Sequence, residues 1–405
     1  MKKRIVVIGG GASGLIAAGK AGENKNNSVI LLEKNNLLGK KLLITGKCRC
    51  NLTNINGIDF LLKNTFGDKK FLYHALHNFS INMTMNFFEN LGVKLKVERG
   101  GRVFPESDNS QDILNALKKY LAKNHVTLKL SSNVKNIIKQ DNLFKIMLEN
   151  NDFIECEKII LATGGKSYPL TGSNGDGYFL AKSFGHEIKN LYPSLVPIVL
   201  KENYDLQGLS LKNIELKLEL GNKILYRELG ELIFTHFGIS GPIVLSASRF
   251  LINNYENAKI ILDLKPGLDI KELDLRLQRD FKKYVNHDFK NALDDLLPKR
   301  LINVIIKLSG ISPNKKVNVI KKSERQKLTL LLKNFVLTPV RSLGFEHAII
   351  TCGGVDTKEV NAYDMQSKLV KNLFFAGEIL DLDALTGGFN LQIAFSTGYL
   401  AGQSV

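Results

Sequence analysis

Tryptophan is missing from all 405 residues, and cysteine occurs only four times. Cys48, Cys50, Cys156 and Cys352 are too few and too scattered for a disulfide framework. Cys48-x-Cys50 also lacks the two-residue spacer of a zinc knuckle or a thioredoxin-type pair, so no metal site is expected. No apolar run approaches the ~20 residues of a membrane span. The chain enters its first strand at once, and we expect no signal peptide and a reduced, cytoplasmic protein. Acidic side chains are scarce as well: 39 Asp and Glu stand against 56 Lys and Arg, giving a net charge of +17. That balance fits either a polyanionic partner or the lysine- and asparagine-rich usage of an AT-rich genome. With 44% hydrophobic residues the chain can bury a large core, divided among two or three domains.

What is present begins at the N-terminus. Arg4-Ile-Val-Val-Ile8 is a short apolar run suited to a buried parallel strand. Gly9, Gly11 and Gly14 follow in a G-x-G-x-x-G frame, and a helix starts immediately at Leu15. Ser28-Val-Ile-Leu-Leu32 is a second buried strand, ending on Glu33, 19 residues after Gly14. Gly9 permits the tight turn, Gly11 admits a pyrophosphate to the backbone, and Gly14 lets helix and strand pack closely. The helix N–H groups then hold phosphate charge, and Glu33 accepts from the ribose hydroxyls. Strand, glycine frame, helix, strand and acid together predict a dinucleotide-binding domain.

After Glu33, the polar, glycine-punctuated stretch to Asn54 is too long for an ordinary strand-to-helix connection. It is read as a loop folded along the cofactor, with Lys40 or Lys41 on phosphate and Arg49, Asn51 and Thr53 as hydrogen-bonding groups. Phe71 to Leu91 reads as one amphipathic helical stretch, and Asp108 to Lys123 as a helix capped near Asn109 or Ser110. Val126–Leu130, Val134–Ile138 and Leu143–Leu148 read as the strands of a meander. Lys158-Ile-Ile-Leu161 is a buried strand running into Ala162-Thr-Gly-Gly165. Ala12, Ser13, Lys34, Val134, Thr163 and Gly164 complete the expected first half of the cofactor site.

The segment Gly39-Lys-Lys-Leu-Leu-Ile-Thr-Gly-Lys-Cys-Arg49-Cys50-Asn51-Leu-Thr53-Asn54 resembles the signature of a bacterial FAD flavoprotein family. The resemblance continues through Ala162–Pro169, Gly172–His186, Phe234–Pro242, Thr351–Val355 and Phe375 to Gly402, in order along the whole chain. Cys48 departs from it, standing where most members carry glycine. Members are known as NAD(P)/FAD-dependent oxidoreductases or aminoacetone-oxidase-like enzymes, and include a bile-acid double-bond reductase and a ribosomal RNA dihydrouridine synthase. The resemblance implies an α/β fold: a Rossmann-type FAD domain interrupted by an insert with a small β-barrel and a helical subdomain. Accordingly we expect FAD-binding parts at 1–192 and 346–405. The insert then spans 193–345, with barrel strands near 193–250 and 335–345 and helices near 268–334. Pro197–Leu200, Ile214–Leu220, Lys223–Leu229 and Glu231–Thr235 alternate as barrel strands should. Leu277, Phe281, Val285, Phe289 and Leu293 form a helix stripe, and Ser323 with Gln326 resembles a capping box.

A second cofactor-facing end lies in the last sixty residues. Asn372-Leu-Phe-Phe-Ala376 is a buried strand, and Gly377-Glu378 puts a carboxylate where flavin domains hold ribityl hydroxyls. Gly388, Phe389, Asn390 and Leu391 open the final helix, whose N–H groups can face the flavin or the phosphates. An NAD domain needs no such clamp, so FAD is the expected cofactor. No second dinucleotide unit exists, because Ala162-Thr-Gly-Gly165 lacks the spacing, and NAD(P)H is therefore expected as a transient electron donor.

For function the resemblance implies hydride transfer to the β-carbon of an activated C=C and a proton to the α-carbon. In uridine these are C6 and C5. Cys50 and His236 are the candidate proton donors, since either can be tuned near working pH. From Pro298 to Arg341 eleven cations stand against Glu324 alone. Lys315, Lys316, Lys321, Lys322, Arg325 and Lys327 form its centre and are the candidate RNA-binding residues. Three readings follow. One is reduction of uridine in 23S ribosomal RNA, another is turnover of a small enone, steroid or amine, and the third is a flavin-bearing RNA-binding protein without turnover. Oligomeric state is not legible.

Overall fold

The computed structural model describes every residue except Met1 and Asn253. The chain forms two units: residues up to Pro193 together with Phe345–Val405, and Ser194–Gly344 between them.

In the first unit five strands form a fully parallel sheet. Their order is Leu373–Phe375, Lys158–Leu161, Lys3–Ile8, Asn27–Leu32 and Thr127–Lys129. Ile5, Val6 and Val7 are wholly buried, as befits a central strand covered on both faces. Gly9 turns out of it at φ +109°, and a Cβ there would lie 2.4 Å from the Ala162 carbonyl oxygen. A Cβ on Gly14 would lie 1.8 Å from the Gly9 oxygen, so helix Ala12–Glu23 can sit on the turn only with glycine there.

That helix packs against the last one, Phe389–Gln403. A Cβ on Gly398 would lie 2.3 Å from the Ser13 oxygen, and one on Gly402 2.4 Å from the Ala17 oxygen. Matching steps of four residues on both chains make the two helices parallel. Their backbones touch because no side chain separates them.

Several elements differ from expectation. Thr127–Lys129 is the fifth parallel strand rather than part of a meander. Helix Ser110–Lys123 precedes it and returns the chain in the parallel direction. The meander holds only Val134–Gln140, Leu143–Leu148 and Phe153–Cys156. The stretch from Phe71 to Leu91 breaks into Lys69–Asn78 and Ile81–Asn90. Phe79 leaves helical geometry, and the Ser80 hydroxyl accepts the Met83 N–H at 3.3 Å to open the second helix. The expected loop after Gly39 contains a helix, Lys40–Cys48, interrupted at Thr45, Gly46 and Lys47.

The second unit contains a seven-stranded antiparallel sheet. It runs Phe335–Leu337, Ala258–Asp263, Ser210–Leu220, Lys223–Phe234, Gly238–Ser240, Ile198–Leu200 and Pro339–Ser342. Among the described residues no ladder joins the two end strands, so the expected barrel is seen as an open ladder. The two strands expected on either side of Gly230 are one continuous strand. Helices Ile270–Lys283, Lys299–Ser309 and Lys322–Lys333 complete the unit. The anticipated stripe outruns its helix: Leu277 is inside it, whereas Phe289 and Leu293 are buried beyond its end. Helix Lys322–Lys333 is capped at Lys321, two residues before the expected Ser323, and the Glu324 carboxylate accepts the Lys321 N–H at 2.7 Å. Among the described residues no helix is long and apolar enough to cross a membrane.

Candidate cofactor site

One pocket lies wholly within the first unit, at the carboxyl ends of its parallel strands. The glycine turn, Glu33, the Lys40–Leu42 turn, Ala162–Gly164, Glu378 and Asn390–Leu391 all line it. In open parallel sheets this edge, where strand order reverses, is where ligands bind. Two helix N-termini reach it. Gly11 and Gly388 are their N-caps, and neither end carries a side-chain cap. Their first N–H groups thus have no intrahelical partner and present positive charge. A Cβ on Gly11 would meet nothing within 4 Å, so backbone there is open to a close approach. From the Ser13–Gly398 contact the two N-termini are offset along the axis by about 12 Å, at ~1.5 Å per residue.

Glu33 is buried, and its carboxylate accepts three hydrogen bonds from the chain. These come from the Gly10 N–H at 2.7 Å, the Asn35 N–H at 2.8 Å and the Asn35 side-chain amide at 2.7 Å. A carboxylate offers roughly four acceptor sites, so the acid is fixed in orientation with little left over. Gly10 leaves room for it, since a Cβ at that position would approach Glu33 Oε2 to 3.0 Å.

The three lysines assigned to the cofactor all have partners within the chain. Lys34 Nζ meets Asp176 Oδ2 at 2.7 Å and Asn174 Oδ1 at 2.5 Å, and Lys40 Nζ meets Asn35 Oδ1 at 2.9 Å. Lys41 Nζ sits on the Glu378 carboxylate at 2.7 and 2.9 Å and on Ser167 Oγ at 2.7 Å. Ser167 Oγ and the Thr351 N–H both donate to Glu378 Oε1, at 2.8 and 2.9 Å. The ion pair is therefore held by the loop after strand Lys158–Leu161 and by strand Ile350–Cys352, which fixes Glu378 at the pocket wall. Asn35, Ser167, Ser173, Asn174, Asp176 and Thr351 were absent from the sequence-based set. Most lie inside the glycine-flanked stretches that carry the resemblance, where a small hydroxyl or amide gave no periodic signal.

Val134, Thr163, Gly164, Ala12 and Ser13 line the pocket. Gly377 and Phe389 stand behind it: a Cβ on Gly377 would strike Ser13 Oγ at 2.4 Å, and Phe389 packs edge-on to Phe60. Asn390 ties the start of its helix to both backbone groups of Ala384. Arg49, in contrast, pairs with Glu98 at 2.7 Å and Asp108 at 3.2 Å and covers the Phe104 ring. Thr53 donates to the buried Gln392 at 2.6 Å, and Asn51 Oδ1 is buried without a partner. Arg49, Asn51 and Thr53 do not line the pocket.

The two proton-donor candidates occupy different settings. Cys50 is wholly buried away from the pocket lining, and burial pushes its thiol up to about 12, with a hydrogen bond from Thr45 acting the other way. His236 is exposed in the second unit, edge-on to Phe237. Of the basic cluster, Lys315 pairs with Glu324 at 2.7 Å, Lys316 with Asp288 at 2.9 Å and Arg325 with Asp274 at 2.8 Å. Asp274 and Asp288 lie outside the sequence window, so the local asymmetry counted there is partly cancelled by folding. Lys321, Lys322 and Lys327 are exposed.

A glycine turn, a fixed acid on the second strand and two uncapped helix ends offset by about 12 Å along their axes define a dinucleotide-binding flavoprotein domain. The open backbone at Gly11, where a Cβ would meet nothing within 4 Å, and the two helix ends without side-chain caps fit an elongated, charged ligand such as FAD. The family profile described as HI0933-like protein Rossmann domain matches residues 3–404, and the chain belongs to that family. The chain is 32% identical over 376 residues to a 3-dehydro-bile acid delta(4,6)-reductase of Clostridium scindens, covering 92% of this chain and 91% of that protein. It is 30% identical over 372 residues to a ribosomal RNA dihydrouridine synthase of Escherichia coli, covering 91% and 89%. In fold it is similar to a 3-ketosteroid-delta4-(5alpha)-dehydrogenase from Rhodococcus jostii. That match has a TM-score of 0.55 at 14% identity and covers 100% and 96% of the two chains. The protein is an FAD-dependent oxidoreductase.

Proposed function

We propose that this oxidoreductase reduces the C5=C6 bond of uridine in 23S ribosomal RNA, with NAD(P)H as electron donor. The observation that carries the reading is charge: a net +17, with Lys321, Lys322 and Lys327 exposed on one helix and its cap. Phosphate backbones attract such a surface whatever their sequence. FAD, when bound, supplies the hydride for the β-carbon of the double bond. Glu33 orients the ribose end, and the N-termini at Gly11 and Gly388 hold the charged stretch between the ends. Lys41 holds the Glu378 carboxylate at the pocket wall. His236 is the proposed proton donor for the α-carbon. Cys50 is the weaker candidate, because a thiol near 12 is a poor acid at neutral pH.

Ribosomal RNA from a strain lacking the gene, incubated anaerobically with the protein and NADPH or NADH, tests the proposal. Nucleoside mass spectrometry should detect a uridine heavier by about 2 Da, the mass of the two added hydrogens. Absence of that product with either donor refutes it. A second reading, reduction of a small enone or steroid, is favoured by the pairing of Lys315, Lys316 and Arg325 with acids. Turnover of such a substrate, unaffected by salt or added RNA, would establish it instead.

A further inference from the structure

The meander of the first unit breaks the usual rule for a solvated sheet. Its inner face, Ile137, Phe144, Ile146, Leu148, Ile154 and Cys156, is buried in the core. Alternation should then leave the other face polar. Instead Phe153 is 54% exposed, Ile138 42% and Leu143 42%, and Met147 is half-buried. Register places them together: Phe153 lies opposite Met147, and Lys145 stands between Glu155 on one neighbouring strand and Ile138 on the other. Asn136 and Gln140 complete this face. Single exposed apolar residues are ordinary, whereas a cluster on one face marks a contact surface.

Charge decides what kind of partner fits. Across residues 134–156, Lys135, Lys139 and Lys145 stand against Asp141, Glu149, Asp152 and Glu155, so the region is near neutral in a chain of +17. A phosphate backbone gains nothing from it, and it does not repel its own copy. Lys145 and Glu155 are cross-strand neighbours, yet among the described residues neither forms an ion pair. Lys145 Nζ stands instead over the Phe153 ring, 4.2 Å from its centroid. A base and an acid side by side on one face are complementary to the same pair turned over by a two-fold axis. Such an axis, running along the strands between Leu143–Leu148 and Phe153–Cys156, carries Lys145 over the partner's Glu155 and Met147 over the partner's Phe153, because each pair shares one register level.

We infer that the outward face of the meander is a two-fold contact with a second copy of this chain, packed sheet on sheet with Lys145 against the partner's Glu155. Three strands ~4.8 Å apart, each about six residues long at ~3.3 Å per residue, make a face of roughly 14 by 20 Å. That is the small end of specific interfaces, so the dimer is weak and forms as concentration rises. None of the outward side chains lines the cofactor pocket, so substitutions on this face leave the FAD site untouched.

Sedimentation equilibrium of the full-length holoprotein tests this. From about 1 to 200 µM the wild type should pass from monomer to dimer, with a Kd of about 10–100 µM for so small an interface. Phe153→Glu should weaken the dimer at least about tenfold, because an aromatic anchor is lost twice in a two-fold contact. Lys145→Glu and Glu155→Lys should each weaken it to a similar degree, since like charges then face each other at both ends. Mixed in equal amounts, those two variants should form a heterodimer about as tight as the wild-type dimer, which no effect within one chain could produce. FAD content and Tm should stay at wild-type values in all three, because the side chains lie on the solvent face. A wild type that stays monomeric at the highest concentration overturns the inference and leaves the apolar face to a different protein. So does a dimer that Phe153→Glu leaves intact, or a failure of the two charge variants to pair on mixing.

Discussion

Gly398→Ala tests whether the two cofactor-facing helices are held by backbone contact. The new methyl would start 2.3 Å from the Ser13 oxygen and 3.0 Å from its carbonyl carbon and Cα. All three are backbone atoms of helix Ala12–Glu23, so no side chain can rotate away. Restoring ordinary contact near 3.4 Å requires the helices to part by about 1 Å. Overpacking of that kind costs about 1–3 kcal/mol, offset in part by the ~1 kcal/mol helix preference of alanine over glycine. The net loss, up to about 2 kcal/mol, corresponds to a fall in Tm of up to roughly 8 °C for a unit of this size. Both helices carry their N-termini into the pocket, so the shift should also weaken FAD by about fivefold, from ~1 kcal/mol of helix-end interaction. Calorimetry and bound-flavin content measure the two effects together. Gly267→Ala is the control, because a Cβ there meets nothing within 4 Å. Unchanged melting and unchanged flavin content in Gly398→Ala would refute the reasoning, since the helices would then be free to separate.

Further outcomes follow from the same geometry. Glu33→Ala should reduce FAD affinity about ten- to a hundredfold, because Gly10 and Asn35 lose their acceptor and each buried orphan costs about 1–3 kcal/mol. Glu33→Gln, which retains one acceptor oxygen, should lose less; equal occupancy in the alanine variant and wild type would free Glu33 of this role. His186 is buried between Glu359 and Ser367, and desolvation holds its pKa below the ordinary 6.5. As pH falls through 6.5 the unfolded chain takes up this proton first, so stability should decline until the folded-state pKa is reached. In His186→Gln the decline below pH 6.5 should be shallower, as read from Tm against pH; identical slopes would remove His186 as its source. Lys321→Glu with Lys322→Glu should flatten the slope of log K against log salt for RNA by about 2 if each lysine neutralises a phosphate. Tm should stay nearly constant because both side chains are exposed.

The nucleotide half of the molecule was legible because its sequence signals are local. Apolar runs without alternation predict buried parallel strands, and Gly9 and Gly14 are required by contacts that a Cβ would violate. Boundaries failed where two signals overlapped. The amphipathic pattern from Phe71 to Leu91 continues across the break at Phe79 and Ser80, since both helices bury their apolar faces in the same core. Ser80, a strong N-cap residue, was the overlooked cue. Val126–Leu130 alternates and reads as a strand, but its parallel partner Asn27–Leu32 lies about a hundred residues away, and alternation does not say which sheet a strand joins.

Charge was the least legible feature, and the reason is general to windows of sequence. A window sums charges that are neighbours along the chain, whereas attraction acts through space. Lys315, Lys316 and Arg325 meet Glu324, Asp288 and Asp274, two of which lie far outside the window. The same holds in the cofactor site, where Lys40 or Lys41 reads as a phosphate ligand and Lys34 as a cofactor contact along the chain, but all three are occupied by a partner in the fold. The proposed anion site is instead the pair of helix ends, whose N–H groups carry no formal charge and leave no trace in a charge count. A lysine-to-methionine change at Lys40 should accordingly weaken FAD less than Gly11→Ala, which closes the open backbone at the first helix end.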